Sequence, residues 1–417
     1  MTSSQARAAT AAGGRDTKAF KTPDDIPLTT IPLSDGLLGL AGLLAAWLVV
    51  MVIRPPALLG AWIVLFSTAI PMLAVELKRT SHPAERESGR LALLLWPAGF
   101  LLASMPLLLI HAQGMGVGFW ILAWAVAAPA FMLRLTLELR RNGWLSGGLP
   151  LALGRALLPF DRAALRSLVP AARLWALKGF FIPLYGLSLL GLIGLALAAD
   201  LGTPLGWLSL GVVLAYTIDL SFGLSGYVFA SNTLAPTVRS TQPMLLGWVV
   251  CIACYGPVMT HWPEFEAVVL QEIAWPQALT ATPFSIAAAG MMIGLLVLYA
   301  SASVCFGLRF SNLSNRGVVA TGPYRWMKHP AYFAHAANAW LLCLILMPAA
   351  GAHLGIAQWL VPIAFTILYR LRAVTEERHM SEEPAYRAYA EWIARYGLLA
   401  RLRQFAGLQA PALPSAD

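Results

Sequence analysis

Charge is scarce in this chain. Of 417 residues only 12% are charged, and 58% are hydrophobic. An ordinary soluble domain carries about twice that share of charge, so the composition excludes one. Cysteine is scarcer still: Cys251, Cys254, Cys305 and Cys343 all sit inside apolar segments. Cys251 and Cys254 form a Cys-x-x-Cys, a spacing that suits metal or redox chemistry. Here it has no second Cys or His pair at ligand distance in sequence, and packing within a span is the better account. The remaining histidines, His82, His111, His261, His335, His353 and His379, are scattered without metal spacing. No internal repeat is evident. The first thirty or so residues lack the short apolar core and cleavage site of a signal peptide. They mix Ala, Ser, Thr and Gly with a few charges, as a disordered tail does.

What the chain has in abundance is apolar stretches of about twenty residues, each long enough to cross a bilayer core of roughly 30 Å as a helix. Backbone polar groups in lipid must be satisfied internally, so the expected fold is all-α: a polytopic integral-membrane helical bundle of about ten spans. The expected spans are residues 36–53, 58–77, 91–111, 117–137, 179–199, 205–230, 244–260, 284–308, 332–349 and 354–371. A basic stretch precedes the fifth span, and its residues 160–174 suit a short interfacial helix. The weakest span is the seventh, and residues 264–283 after it suit a re-entrant segment. An amphipathic tail helix is expected over 376–395. The organisation expected is a disordered tail (1–33), a membrane region of about seven helices (34–283), a C-terminal membrane region with its tail helix (284–405) and a disordered end (406–417).

The net charge of +9 lies in the loops, which argues for membrane orientation and against a nucleic-acid partner. With the N-terminus inside, Arg79, Arg140, Arg141, Arg239, Arg316 and Lys328 fall on the cytoplasmic side. Arg54, Asp200, Glu264, Glu266 and Glu272 fall outside. Both termini are then cytoplasmic, as in a bacterial inner-membrane protein.

Polar residues cluster at the two feet of the last hairpin. The first foot reads Thr321-Gly322-Pro323-Tyr324-Arg325 and then Lys328-His329-Pro330-Ala331-Tyr332. Gly-Pro sets a turn, and Pro330 suits the first turn of a helix, where its missing N–H costs nothing. His329 then stands beside a helix N-terminus, which favours an anion. An aromatic-basic belt at the membrane interface accounts for the same residues. The second foot has Arg372 and Glu376 one helical turn apart, able to pair, followed by Glu377, Tyr386 and Tyr389.

Together the feet resemble the C-terminal signature of the isoprenylcysteine carboxyl methyltransferase and phospholipid methyltransferase family, over about residues 290–400. The resemblance implies a membrane methyltransferase that uses S-adenosylmethionine in a cytoplasm-facing pocket and receives a lipophilic acceptor from the bilayer. It places Gly322, Tyr324, His329, Pro330, Tyr332, Glu376, Glu377, Tyr386 and Tyr389 at the cofactor. Arg372 and Lys328 take the catalytic positions, Arg372 ordering the Glu pair or contacting substrate. Two departures stand out. Lys328 replaces the arginine usual before the histidine, and Glu382-Glu383-Pro384 replaces the usual Phe-Gly ahead of the tyrosine pair. Sterol reductases have a related C-terminal half and a nicotinamide cofactor. Their pattern has Asn where this chain has Ala331, and their tail motifs are absent here. A transporter or sensor keeping the pocket as a ligand site is the third reading.

Residues 31–285 match no familiar pattern. Asp219 lies inside the sixth span, where an acid is costly and a functional candidate by default. With Asn232 and Arg239 on its cytoplasmic side, it is the candidate for acceptor binding. Packing through an interhelical hydrogen bond is the plainer account of Asp219.

Overall fold

The computed structural model describes residues 32–79, 117–142, 162–231, 234, 238–255, 273–279, 282–346 and 355–406. The third expected span (91–111), most of the re-entrant stretch, Asn232 and both expected tails beyond these limits lie outside the described residues.

The helices are α1 (Leu33–Ile53), α2 (Ala57–Arg79), α3 (Val117–Asn142), α4 (Arg162–Ala198), α5 (Pro204–Phe229), α6 (Leu245–Ile252), α7 (Pro283–Phe306), α8 (Pro330–Leu341), α9 (Ile356–Met380), α10 (Pro384–Tyr396) and α11 (Leu398–Phe405). Five stretches among the described residues are long and apolar enough to cross a membrane: α1, α2, residues 168–198 of α4, α5, and α7 with its extension to Arg309. The chain is an integral membrane protein built of helices. Proline sets several starts. Thr203 and Thr282 cap α5 and α7 by accepting from Gly206 N and Ser285 N, with Pro204 and Pro283 directly behind them.

Three expectations change. The basic stretch before the fifth span is not a separate interfacial helix. It is continuous with the span, and α4 runs for 37 residues through Pro170 and Pro183. At 1.5 Å per residue that is about 55 Å, well beyond a bilayer core, so the basic half projects past the apolar half without a break. The seventh span is short: α6 has 8 residues and turns at its end. The tail helix does not begin at Glu376. Glu376 and Glu377 belong to the last turns of α9, the chain turns at 381–383, and α10 starts at Pro384. Pro384 has no N–H to give an ongoing helix, so it ends one helix and opens the next.

The main core draws on both sides of residue 283, with α5 packed on α7 and α1 on α2. Small residues permit the close approaches. A Cβ at Gly42 would lie 1.9 Å from Ser67 O, and one at Gly36 would lie 1.8 Å from Val304 O. Charged helix ends meet on one face of the bundle, where Arg79 pairs with Asp35 and Arg309 with Glu76. At the opposite face the Arg54 guanidinium donates to Leu197 O.

Gly42→Ala should therefore lower the thermal midpoint in detergent by several degrees. The collision is with backbone, and overpacking of this kind costs about 1–3 kcal/mol. Gly211→Ala, where an added Cβ meets nothing within 4 Å, should leave the midpoint unchanged or raise it slightly. Equal effects of the two substitutions would contradict the packing account.

Candidate active site

The first foot is pinned before it reaches the site. After α7 the chain turns at Gly307, at φ 54°, and its next residues lie against the end of α5. Arg316 is buried there, and its Nη1 donates to Gly226 O and Leu308 O at 3.0 Å and to Phe310 O at 3.3 Å. Burial pulls its pKa down to about 10, so it stays charged at neutral pH. Two more buried basic side chains meet the same helix end: Lys178 Nζ donates to Ala230 O at 2.7 Å, and Arg134 Nη1 to Val228 O at 3.5 Å. Cations at the carbonyl end of a helix oppose its dipole and satisfy carbonyls that have no helical partner. A further positive φ, at Gly322 (57°), turns the foot towards His329. A Cβ there would lie 2.5 Å from Cys305 Sγ.

The two feet join through carboxylates. Glu377 receives Lys328 on one oxygen and His329 Nε2 at 3.0 Å on the other. The His329 ring stacks on Tyr332 at 5.1 Å, and the Tyr332 hydroxyl donates to Glu376. Burial pushes the Glu377 carboxyl up, but the hydrogen bonds from His329 and Lys328 outweigh it and hold its pKa at about 2.

Arg372 does not pair with Glu376. Its guanidinium is buried, over the Tyr332 ring at 4.7 Å and the Tyr255 ring at 5.5 Å. Nη2 donates to Asn312 Oδ1 at 2.6 Å and to Tyr255 OH at 3.5 Å. The Asn312 amide in turn donates to Tyr255 OH at 2.7 Å and Tyr185 OH at 3.2 Å, and its backbone N–H to Tyr227 OH at 2.7 Å. Among the described residues no carboxylate lies within ion-pair distance of Arg372.

The tail helix covers the feet. Tyr386, Tyr389 and Trp392 of α10 are buried, and Tyr389 OH donates to Tyr324 O at 2.8 Å. Burial raises the pKa of both tail tyrosines and of Tyr324, keeping the phenols neutral. A strap from the N-terminal part holds this roof: Ser240–Thr241 pairs antiparallel with Ser314–Asn315. From the strap Arg239 pairs with Glu383, Gln242 Nε2 donates to Thr375 O at 3.0 Å, and Ser240 OH meets His379 Nε2 at 2.8 Å.

Below the roof lies a cavity of about 670 Å³, within the range of small-molecule sites. Lys328, His329, Tyr332, Arg372, Glu376 and Tyr324 line it, and so does Asp219. Ser303 donates to Asp219, and beside them His335 stacks on Tyr369 at 5.3 Å. The structure thus brings the sequence-derived candidates His329, Tyr332, Glu376, Arg372, Lys328, Tyr324 and Asp219 to one space. Glu377 stands directly behind His329. Gly322 and Pro330 shape the backbone, and Tyr386 and Tyr389 lie in the roof. Arg239 lies on the strap, away from the cavity lining, and Asn232 lies outside the described residues. Asn312, Tyr185, Tyr255, Tyr299 and His335 also line the cavity and were not singled out as site residues. The available signal was a three- to four-residue polar stripe on facing helices: Tyr332 with His335, and Tyr369 with Arg372 and Glu376.

Residues 285–382 match the isoprenylcysteine carboxyl methyltransferase (ICMT) family, about a quarter of the chain; the match carries the first foot and Arg372, Glu376 and Glu377 of the second, and Tyr386 and Tyr389 lie beyond it. No curated protein and no solved structure matches the chain.

The depressed pKa of Glu377 makes a pH prediction. A carboxyl lowered on folding stabilises fully above its ordinary pKa of 4.5, and that contribution is lost as pH falls through about 2. Glu377→Gln should lower the thermal midpoint at neutral pH and flatten its dependence on pH between those values. An unchanged acid limb would show that the His329–Glu377–Lys328 contact does not contribute to stability.

Proposed function

We propose that this protein is a methyltransferase that takes its methyl group from S-adenosylmethionine and passes it to a lipophilic acceptor drawn from the bilayer. The observation that carries the reading is convergence. Lys328, His329, Tyr332, Arg372 and Glu376, from both feet and all within the family-matched stretch, line one cavity.

The residues fit the cofactor's chemistry. Glu376 offers a carboxylate to an ammonium or to ribose hydroxyls, and the start of α8 at His329–Pro330 offers its N–H end to a carboxylate. The aromatic faces of Tyr324, Phe306 and Tyr332 suit a cation or a flat base. The Tyr386 hydroxyl, buried in the roof without a hydrogen-bond partner among the described residues, lies outside the cavity lining. Bound in the cavity, S-adenosylmethionine supplies a methyl group already activated by its sulfonium. The protein's part is then to align the acceptor and exclude water. Arg372 is placed to hold an anionic acceptor group, and a carboxylate acceptor needs no general base. In this reading the face carrying Arg79, Lys178, Arg309, Arg316 and Lys328 is cytoplasmic by the positive-inside rule, both termini are on that side, and a bacterial inner membrane suits the arrangement.

Calorimetry with S-adenosylmethionine on the detergent-purified protein tests the cofactor. Micromolar binding is expected, weakened about tenfold or more by Glu376→Gln and by His329→Ala, since each removes a charge-assisted or aromatic contact. A folded protein that does not bind, or that binds equally in both variants, overturns the reading.

A further inference from the structure

The last described helix has no interior. None of the residues of α11 is buried, and Leu399 and Phe405 are 69% and 94% exposed. At about 100° per residue, Leu398, Leu399, Leu402 and Phe405 fall within one arc of about 120°. Arg401 and Arg403 stand about 40° beyond its two edges, with Ala400 and Gln404 opposite. A helix of eight residues is marginal in water when nothing packs on it. Among the described residues no packing covers this apolar arc.

The start of α11 is fixed on the first foot. Gly397 ends α10 so close to its neighbours that a Cβ there would lie 2.5 Å from Ile393 O and 3.0 Å from Trp326 O. Leu398 N then donates to Trp326 O at 2.8 Å, and the Arg401 guanidinium lies over the Trp326 ring at 4.6 Å. Trp326 is itself exposed, and so is Phe333 in the first turn of α8. Exposed aromatics of this kind gather at the lipid–water boundary, so the foot holds α11 at headgroup depth. The tail also carries matching charge: from Pro384 to Phe405 it has Arg387, Arg395, Arg401 and Arg403 against one acid, Glu391.

We propose that α11 is a surface anchor: it enters the lipid leaflet beside the first foot, with Leu398, Leu399, Leu402 and Phe405 among the acyl chains and Arg401 and Arg403 on the phosphates of anionic lipids. Arginines at both edges of an apolar arc lay their stems along the lipid and keep their charge among the headgroups. Basic residues at that depth favour an anionic leaflet over a neutral one. The anchor bears on the cavity, because Trp326 stands two residues before Lys328. Seating α11 in lipid fixes the height of the foot that carries Lys328 and His329.

Site-specific photocrosslinking in the full-length protein tests this. p-Benzoylphenylalanine replaces Leu402, Gln404 or, for comparison, Val297, which is exposed on the membrane-spanning α7. Each form is reconstituted into vesicles of phosphatidylcholine and phosphatidylglycerol in equal parts, and adducts are identified by mass spectrometry. The probe at 402 should capture lipid several-fold more than the probe at 404. Its phosphatidylglycerol adducts should exceed its phosphatidylcholine adducts about threefold or more, while the probe at 297 takes the two lipids nearly equally. Arg401→Gln with Arg403→Gln should bring the ratio at 402 down to that at 297. Arg401→Lys with Arg403→Lys should keep the excess. The proposal is overturned if the probes at 402 and 404 capture lipid alike, or if the probe at 402 crosslinks to a second copy of the chain instead of lipid. It is equally overturned if the phosphatidylglycerol excess is absent, survives loss of both arginines, or is lost in the lysine variant. S-adenosylmethionine binding keeps its own test throughout.

Discussion

A guanidinium leaves water only when other dipoles replace the water, and the arrangement around Arg372 follows from that requirement. Near the foot of α9 the replacement is one amide oxygen, two aromatic faces and one phenol, drawn from Asn312, Tyr332 and Tyr255. Each of those groups has to be held in turn. Asn312 is held by Tyr185 and Tyr227, on α4 and α5, and its loop is fixed by Arg316 on the carbonyl end of α5. The N-terminal helices are therefore part of the site and supply the shell that lets a charge exist at its centre. Four donors and acceptors satisfy one another around the cation, while the charge itself has no opposite partner among the described residues. That imbalance is what an anionic ligand would remove.

The departures at the feet make physical sense in the same terms. Lysine at 328 cannot grip a carboxylate with two parallel bonds as arginine does, but Glu377 needs only one bond from it, because His329 takes the other oxygen. Glu383, part of the Glu382-Glu383-Pro384 run that departs from the resemblance, is bound on both oxygens, by Arg239 and by Asn315 Nδ2 at 2.7 Å. The tail helix is thus tied to the strap and to the first foot together, and its tyrosines pack against Tyr324, which lines the cavity.

How much of this was legible in the sequence depended on distance along the chain. The feet were legible because their signals are local: Pro330 behind His329, and Arg372 one turn before Glu376. Apolar length gave the long helices directly. The partners of Arg372 were not legible, since Asn312 lies 60 positions away in sequence and reaches Tyr185 across 127 more. Nothing in one helix's periodicity says which neighbour it will meet. His335 looked like one scattered histidine because its significance lies in Tyr369, a residue of the opposing helix. The join of the basic stretch to the fifth span was hidden for a different reason: basic residues and proline suggest a boundary, yet a helix can extend beyond the bilayer without ending there.

The central claim is that a methyl donor and an anionic acceptor meet in the cavity around Arg372. The most direct measurement incubates the purified protein with methyl-labelled S-adenosylmethionine and a membrane lipid extract. Label is then followed into the organic phase and, after mild base, into volatile methanol. The account predicts organic-phase label that base releases, as from a methyl ester, and its loss in Arg372→Gln while S-adenosylmethionine binding persists. Label that resists base, or base-labile label that Arg372→Gln leaves unchanged, would contradict it.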